Sequence, residues 1–172
     1  MVMSSVHEDL ERIRDVLASN DKTLSVAESV TGGNIQALLA SVPMALDFYQ
    51  GGITTYNIGQ KVKHLGVEPI HASKLNSVSG KVARELAFGA IKLFMSDFAI
   101  AVTGYVGPDE NNDSGRPIAF VSISMITNEK ISEVYHEKIE YELKARDEVQ
   151  RYFAECAIRI FCQYLSRMFS KD

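Results

Sequence analysis

The stretch "TLSVAESVTGG", Thr23 to Gly33, decides how the chain is read. It opens on a short β-branched and apolar run and ends in two glycines. "NIQALLA" follows, and reads as a helix. A short buried strand over Thr23–Ala27 therefore hands over to a helix beginning just after Thr31. Ser29 and Thr31 lie in the handover. Either hydroxyl can cap the helix that follows, since the first-turn amides lack intrahelical partners. Either can also be a nucleophile, held where backbone N–H groups meet an anion or a developing oxyanion. Both readings stand on these residues alone. "TGG" lacks the lysine-containing spacing of a P-loop, and the stretch does not match the G-x-S-x-G elbow.

Outward from this turn the pattern alternates. Val6, Leu10, Ile13 and Leu17 recur at helical spacing, so an amphipathic helix precedes the strand. "FYQGGITTY", Phe48 to Tyr56, is a second strand whose Gly51–Gly52 pair predicts a bulge or a close backbone approach. "NIGQKVKHLG" is a short helix ended by Gly66, and "GKVARELAFGAIKLF" a longer one with Val82, Leu86, Ala90 and Phe94 on one face. "FAIAVTG", Phe98 to Gly104, is a buried strand. "IAFVSISMI" and "ISEVYHEKIE" form a hairpin about "TNEK". A helix from Ala145 to Met168 closes the pattern, with Val149, Phe153, Cys156, Ile160 and Tyr164 inward.

This order predicts an α/β fold: a three-layer α/β/α sandwich with a mixed, mostly parallel sheet of about five strands. Helical crossovers make the first three strands parallel, and the hairpin reverses one strand. The 172 residues suit a single domain, 1–172. Ligands in such sheets bind beyond the carboxyl ends of the parallel strands. The segments at that edge are "ESVTGG", "TYNIGQK", "TGYVGP" and "KARDE".

A composition 46 % hydrophobic and 23 % charged is that of a globular protein, and a net charge of −4 without a basic run argues against nucleic acid as a partner. The N-terminal segment is acidic where a signal peptide needs an apolar core, and no apolar run reaches membrane-spanning length. Cys156 and Cys162 sit too far apart along one helix to pair, and read as free thiols of a reducing cytoplasm. No metal-ligand spacing involves them. The acidic "PDENNDSG" fails the calcium-loop pattern, with Ser114 at its sixth position and Phe120 at its twelfth. "NDS" at 112–114 is formally a glycosylation sequon.

If Ser29 is a nucleophile it needs a base. His7, His64, His71 and His136 are all placed away from the predicted edge, which disfavours a Ser-His-Asp triad. A desolvated lysine can serve instead. Lys61, five residues after Tyr56, reaches the edge if the first two strands are neighbours; Lys63 faces another way. Tyr56 at the strand end can bond the lysine or a substrate. Arg146, in the first turn of the final helix, can hold a phosphate through two parallel N–H bonds.

"TLSVAESVTGG", "GGITTYNIGQKVKHLGV", "SVSGKVARELAFGAIKLF", "DFAIAVTGYVGP" and "KARDEVQ" occur in the order of the motifs of the CinA C-terminal domain family, also called PncC, which the chain resembles from about residue 6 onward. The family's usual forms are A-E-S-C-T-G-G, G-G-x-x-x-Y-S-N-E-x-K, V-S-x-x-V-A, A-x-x-x-T-G-x-A-G-P and G-D-R-x-x-V. The resemblance implies a Ser/Lys amidohydrolase converting nicotinamide mononucleotide to nicotinic acid mononucleotide and ammonia. It makes Ser29 the nucleophile, Lys61 the general base and Tyr56 their assistant. Thr31, Gly32, Gly33, Thr103, Gly104 and Arg146 are then substrate-binding. No metal or organic cofactor is implied. The partner is a small-molecule pyridine nucleotide, and family analogy suggests a homo-oligomer. This chain departs from the usual forms at Val30, at Asn57–Gly59, at Lys144–Ala145, at Ala119, and after Pro108, where "DENND" stands in place of glycines. The alternative on the same scaffold is a catalytically silent nucleotide-binding or regulatory domain.

Overall fold

The computed structural model describes residues 5–109 and 115–170. The sequon at 112–114 and most of the acidic segment after Pro108 lie outside the described residues. Helix α1, Val6–Ser19, starts in a capping box in which Ser5 and Glu8 satisfy each other's backbone amides. Strands β1 (Leu24–Glu28), β2 (Tyr49–Thr54), β3 (Phe98–Tyr105), β4 (Ile118–Thr127) and β5 (Lys130–Glu140) form one sheet in the order β2-β1-β3-β4-β5. β1 is parallel to β2 and β3, while β4 is antiparallel to β3 and β5. β4 is thus the reversed strand, and β5 runs with the first three. The Gly51–Gly52 expectation holds: the register steps from Leu24 opposite Tyr49 to Ser25 opposite Gly51, leaving Gln50 as the extra residue of a bulge.

Alternation along β3 divides the core. Phe98, Ile100 and Val102 face one side, with α1, α2 (Asn34–Ala40) and α6 (Arg146–Met168). Ala99 and Ala101 face the other, with α3 (Ile58–Leu65), α4 (Pro69–Lys74) and α5 (Gly80–Phe94). The first layer is built on large side chains, Phe48, Phe98, Phe153 and Phe161 all fully buried. The second mixes alanines, among them Ala87, Ala90, Ala99 and Ala101, with aliphatic side chains such as Leu86 and Ile91.

One element was not anticipated and one expectation needs correction. α4 falls in a segment to which the sequence pattern assigns no element, and it contains His71. Six residues are too few for a periodic signal, and the helix is set by Glu68, whose carboxylate accepts from the amides of Ile70 and His71. The inner face of α6 also differs. Its fully buried stripe is Val149, Phe153, Ala157 and Phe161, flanked by Ala154 and Ile158. Cys156, Ile160 and Tyr164 are partly buried at its margin. The stripe advances by four residues throughout, and α6 packs against both α1 and the sheet. Among the described residues, no helix is long and apolar enough to cross a membrane.

Candidate functional site

The turn after β1 is held by a residue the sequence reading passed over. Glu28 is fully buried at the end of β1. Its Oε2 accepts from the amides of Gly33 at 3.0 Å and Ile35 at 3.2 Å, and its Oε1 from Gln36 at 2.8 Å. A carboxylate therefore satisfies the open amides at the start of α2, where an anion also complements the helix dipole. The N-cap residue, Gly33, has φ +105° and makes no side-chain cap of its own. Neither Ser29 nor Thr31 caps this helix. The signal was present: an acid ends a buried strand five residues ahead of a glycine that opens a helix.

The rest of the turn is closed by short bonds. The Gly32 amide donates to the Ser29 carbonyl at 3.1 Å, and Gln150 Nε2 of α6 donates to the Val30 carbonyl at 2.9 Å. The amides of Gly32 and Gly33 are thus already engaged. Thr31 is fully buried, and its Oγ1 has no hydrogen-bond partner among the described residues. Thr31, Gly32 and Gly33 do not line the cavity described next; Ser29 and Val30 do.

That cavity measures about 320 Å³ and lies beyond the carboxyl ends of β1 and β3, within the range of small-molecule sites. It brings together Ser29, Tyr56, Lys61, Thr103, Gly104 and Arg146. Lys61 lies on α3, whose N-terminus is capped by Asn57 accepting from the Gln60 amide at 3.0 Å. It is 3 % exposed, whereas Lys63 faces solvent. Its Nζ donates to the Tyr56 carbonyl at 3.4 Å. Burial lowers its pKa from the usual lysine value of 10.5 to about 8. Tyr56 is exposed at the rim, and its hydroxyl accepts from Arg146 Nη2. That contact supplies the partner that an arginine in a first helical turn requires, beside Asp147 and Glu148.

Thr103 is fully buried, and its Oγ1 donates to the Ser77 carbonyl at 2.7 Å, fixing the 75–78 loop against β3. Gly104 has a packing reason to be glycine: a Cβ there would stand 2.1 Å from the Ile118 carbonyl oxygen of β4. The loops add lining residues the sequence reading did not single out, among them Asn76, Tyr105 and Asp109. None of the four histidines lines the cavity. His64 bonds Gln60, and His71 bonds Ser79. The arrangement offers a hydroxyl, a desolvated amine and a guanidinium in one concavity, which suits nucleophilic attack on an acyl carbon of an anionic substrate.

The profile of the CinA C-terminal domain matches residues 7–165. A CinA-like protein of Picosynechococcus is 36 % identical over 144 residues, 84 % of this chain and 34 % of its own length. A protein of Shewanella oneidensis named nicotinamide-nucleotide amidohydrolase PncC is 36 % identical over 147 residues, 86 % of this chain and 34 % of its own. The chain spans about a third of the length of these curated relatives. A crystal structure of a CinA superfamily protein from Enterobacter cloacae superposes with a TM-score of 0.84 at 21 % identity, covering 96 % of this chain and 95 % of that one. It is similar in fold. By profile and by relatives alike, this chain belongs to the CinA C-terminal domain family.

Proposed function

We propose that the chain is an amidohydrolase that converts nicotinamide mononucleotide and water to nicotinic acid mononucleotide and ammonia. The observation that carries the reading is the buried Lys61, with a pKa of about 8, lining the same cavity as Ser29. At pH 7 about a tenth of such a lysine is neutral, enough to act as a base near the operating pH. Neutral Lys61 takes the Ser29 proton as Oγ attacks the carboxamide carbon. The tetrahedral oxyanion is held by the Val30 amide, since Val30 lines the cavity beside Ser29 and the amides of Gly32 and Gly33 are engaged. Lys61 passes its proton to the departing nitrogen, and ammonia leaves. Lys61 then takes a proton from water, hydroxide attacks the acyl-enzyme, and the proton returns to Ser29 as the acid departs. Arg146 holds the substrate phosphate, with Tyr56 steering the guanidinium. The name of the Shewanella oneidensis relative supports the same reaction.

The test is direct. Purified protein is incubated with nicotinamide mononucleotide, and ammonia and the acid product are measured beside Ser29→Ala and Lys61→Ala. Equimolar products from the wild type and none from either variant is the expected result. A folded wild type without turnover overturns the reaction. Turnover surviving Ser29→Ala overturns the mechanism.

A further inference from the structure

The cavity carries two cationic side chains, Lys61 and Arg146. With a pKa of about 8, Lys61 is mostly charged at neutral pH. A phosphate is attracted by this pair, but a positively charged ring is repelled. Nicotinamide mononucleotide has both: its carboxamide is carried on a pyridinium. A site for it needs a compensating group near the ring. Among the described lining residues one acid is present, Asp109, and it stands next to an aromatic, Tyr105. The two are close enough that, after burial, the Asp109 charge is the next cause holding the Tyr105 hydroxyl above its usual pKa. The Tyr105 hydroxyl donates to the Leu75 carbonyl at 3.4 Å, tethering the ring at its far end. A tethered aromatic face beside a carboxylate is the arrangement that attracts an organic cation.

We infer that Tyr105 and Asp109 form a seat for a cationic heteroaromatic ring, so that the chain prefers an amide on a charged pyridinium over the same amide on a neutral ring. This rests on the amidohydrolase reading above. It also gives a use to one departure from the usual family forms, the acidic residue following the Gly107–Pro108 turn. The cavity's lining then offers a partner for each charge of a zwitterion: Arg146 for the phosphate and Asp109 for the ring.

The experiment compares nicotinamide mononucleotide with its dihydro form, which keeps the carboxamide, ribose and phosphate but has a neutral ring. The measured quantity is the ratio of kcat/KM for the two substrates in wild type, Asp109→Asn, Tyr105→Leu and Tyr105→Phe. The intrinsic reactivity of the two amides cancels when a variant is compared with the wild type. The preference for the charged ring should fall about three- to tenfold in Asp109→Asn and in Tyr105→Leu, and persist in Tyr105→Phe, which keeps the aromatic face. An unchanged ratio in Asp109→Asn overturns the seat. If the wild type turns over neither substrate, the amidohydrolase reading fails first. Calorimetric titration of the same two nucleotides into wild type and Asp109→Asn then decides the seat separately. A preference for the charged ring that Asp109→Asn loses supports it; equal binding, or none, overturns it.

Discussion

Two charged side chains are buried within reach of the candidate site, and they are treated in opposite ways. Glu28 receives three backbone N–H bonds between 2.8 and 3.2 Å, all from the start of α2. Lys61 is nearly as deep, yet its Nζ bonds one carbonyl, that of Tyr56, at 3.4 Å. A buried charge whose hydrogen-bonding capacity is filled stabilises the element that fills it. A buried charge left short of partners is pushed toward its neutral form, which is what a base requires. The difference separates a residue that holds the turn together from one whose charge is left poorly compensated.

The comparison breaks most visibly at Lys61. Lys61→Met should lower turnover about a thousandfold or more, as loss of a general base does. The same substitution removes a poorly solvated ammonium. Its melting temperature should therefore rise by a few degrees, read by calorimetry at pH 7. A variant both inactive and less stable would contradict the view of Lys61 as a strained group.

Glu28→Ala should move stability the other way. It orphans three amides, and unfolding free energy in urea should fall by about 3–5 kcal/mol. Activity should fall with it, because the turn carrying Ser29 loses its cap.

A pH series sharpens the contrast. The folded pKa of Lys61 is about 8 against 10.5 for a free lysine, so between those values the unfolded chain binds more protons than the folded one. Stability from this group accordingly rises with pH across that window, and the penalty is fully present below pH 8. Turnover should rise through pH 8 as the amine becomes neutral. In Lys61→Met the stability increment between pH 8 and 10.5 should vanish, as measured by urea midpoints. The smallest effect is expected at Gln150→Ala, which frees the Val30 carbonyl from α6 and should destabilise by about 1 kcal/mol in the same assay.

Much of the fold was legible in the sequence because periodicity reports burial. The unbroken apolar run in "FAIAVTG" marked a buried strand, and the chain order of strands and helices placed the reversed strand in the hairpin. The four side chains that meet in the cavity, Ser29, Tyr56, Lys61 and Arg146, were found by residue type, by the sheet-edge rule and by resemblance. What escaped was local or long-range. The 69–74 segment makes too few turns to show a period. The stripe on α6 misled because Cys156, Ile160 and Tyr164 are apolar yet lie at the margin of a helix covered on two sides. Capping by Glu28 was hidden because a serine and a threonine, better known caps, stand nearer the helix. The segment holding Tyr105 was placed at the edge by the sheet rule, but the lining by Asn76 and Asp109 depends on how loops fold back over the strand ends, and no periodic signal encodes that.

The bond between Arg146 and Tyr56 joins residues 90 positions apart. A chain is made from its N-terminus, and its parts begin to fold as they leave the ribosome. Ser29, Tyr56 and Lys61 emerge long before α6, the last of the described elements. The guanidinium, the Gln150 brace on Val30 and the helix that packs against α1 arrive together at the end of this order. A nascent chain lacking them has Ser29 and Lys61 but not the wall that Arg146 of α6 adds to the cavity. Synthesis itself thus delays the cavity until α6 has been made.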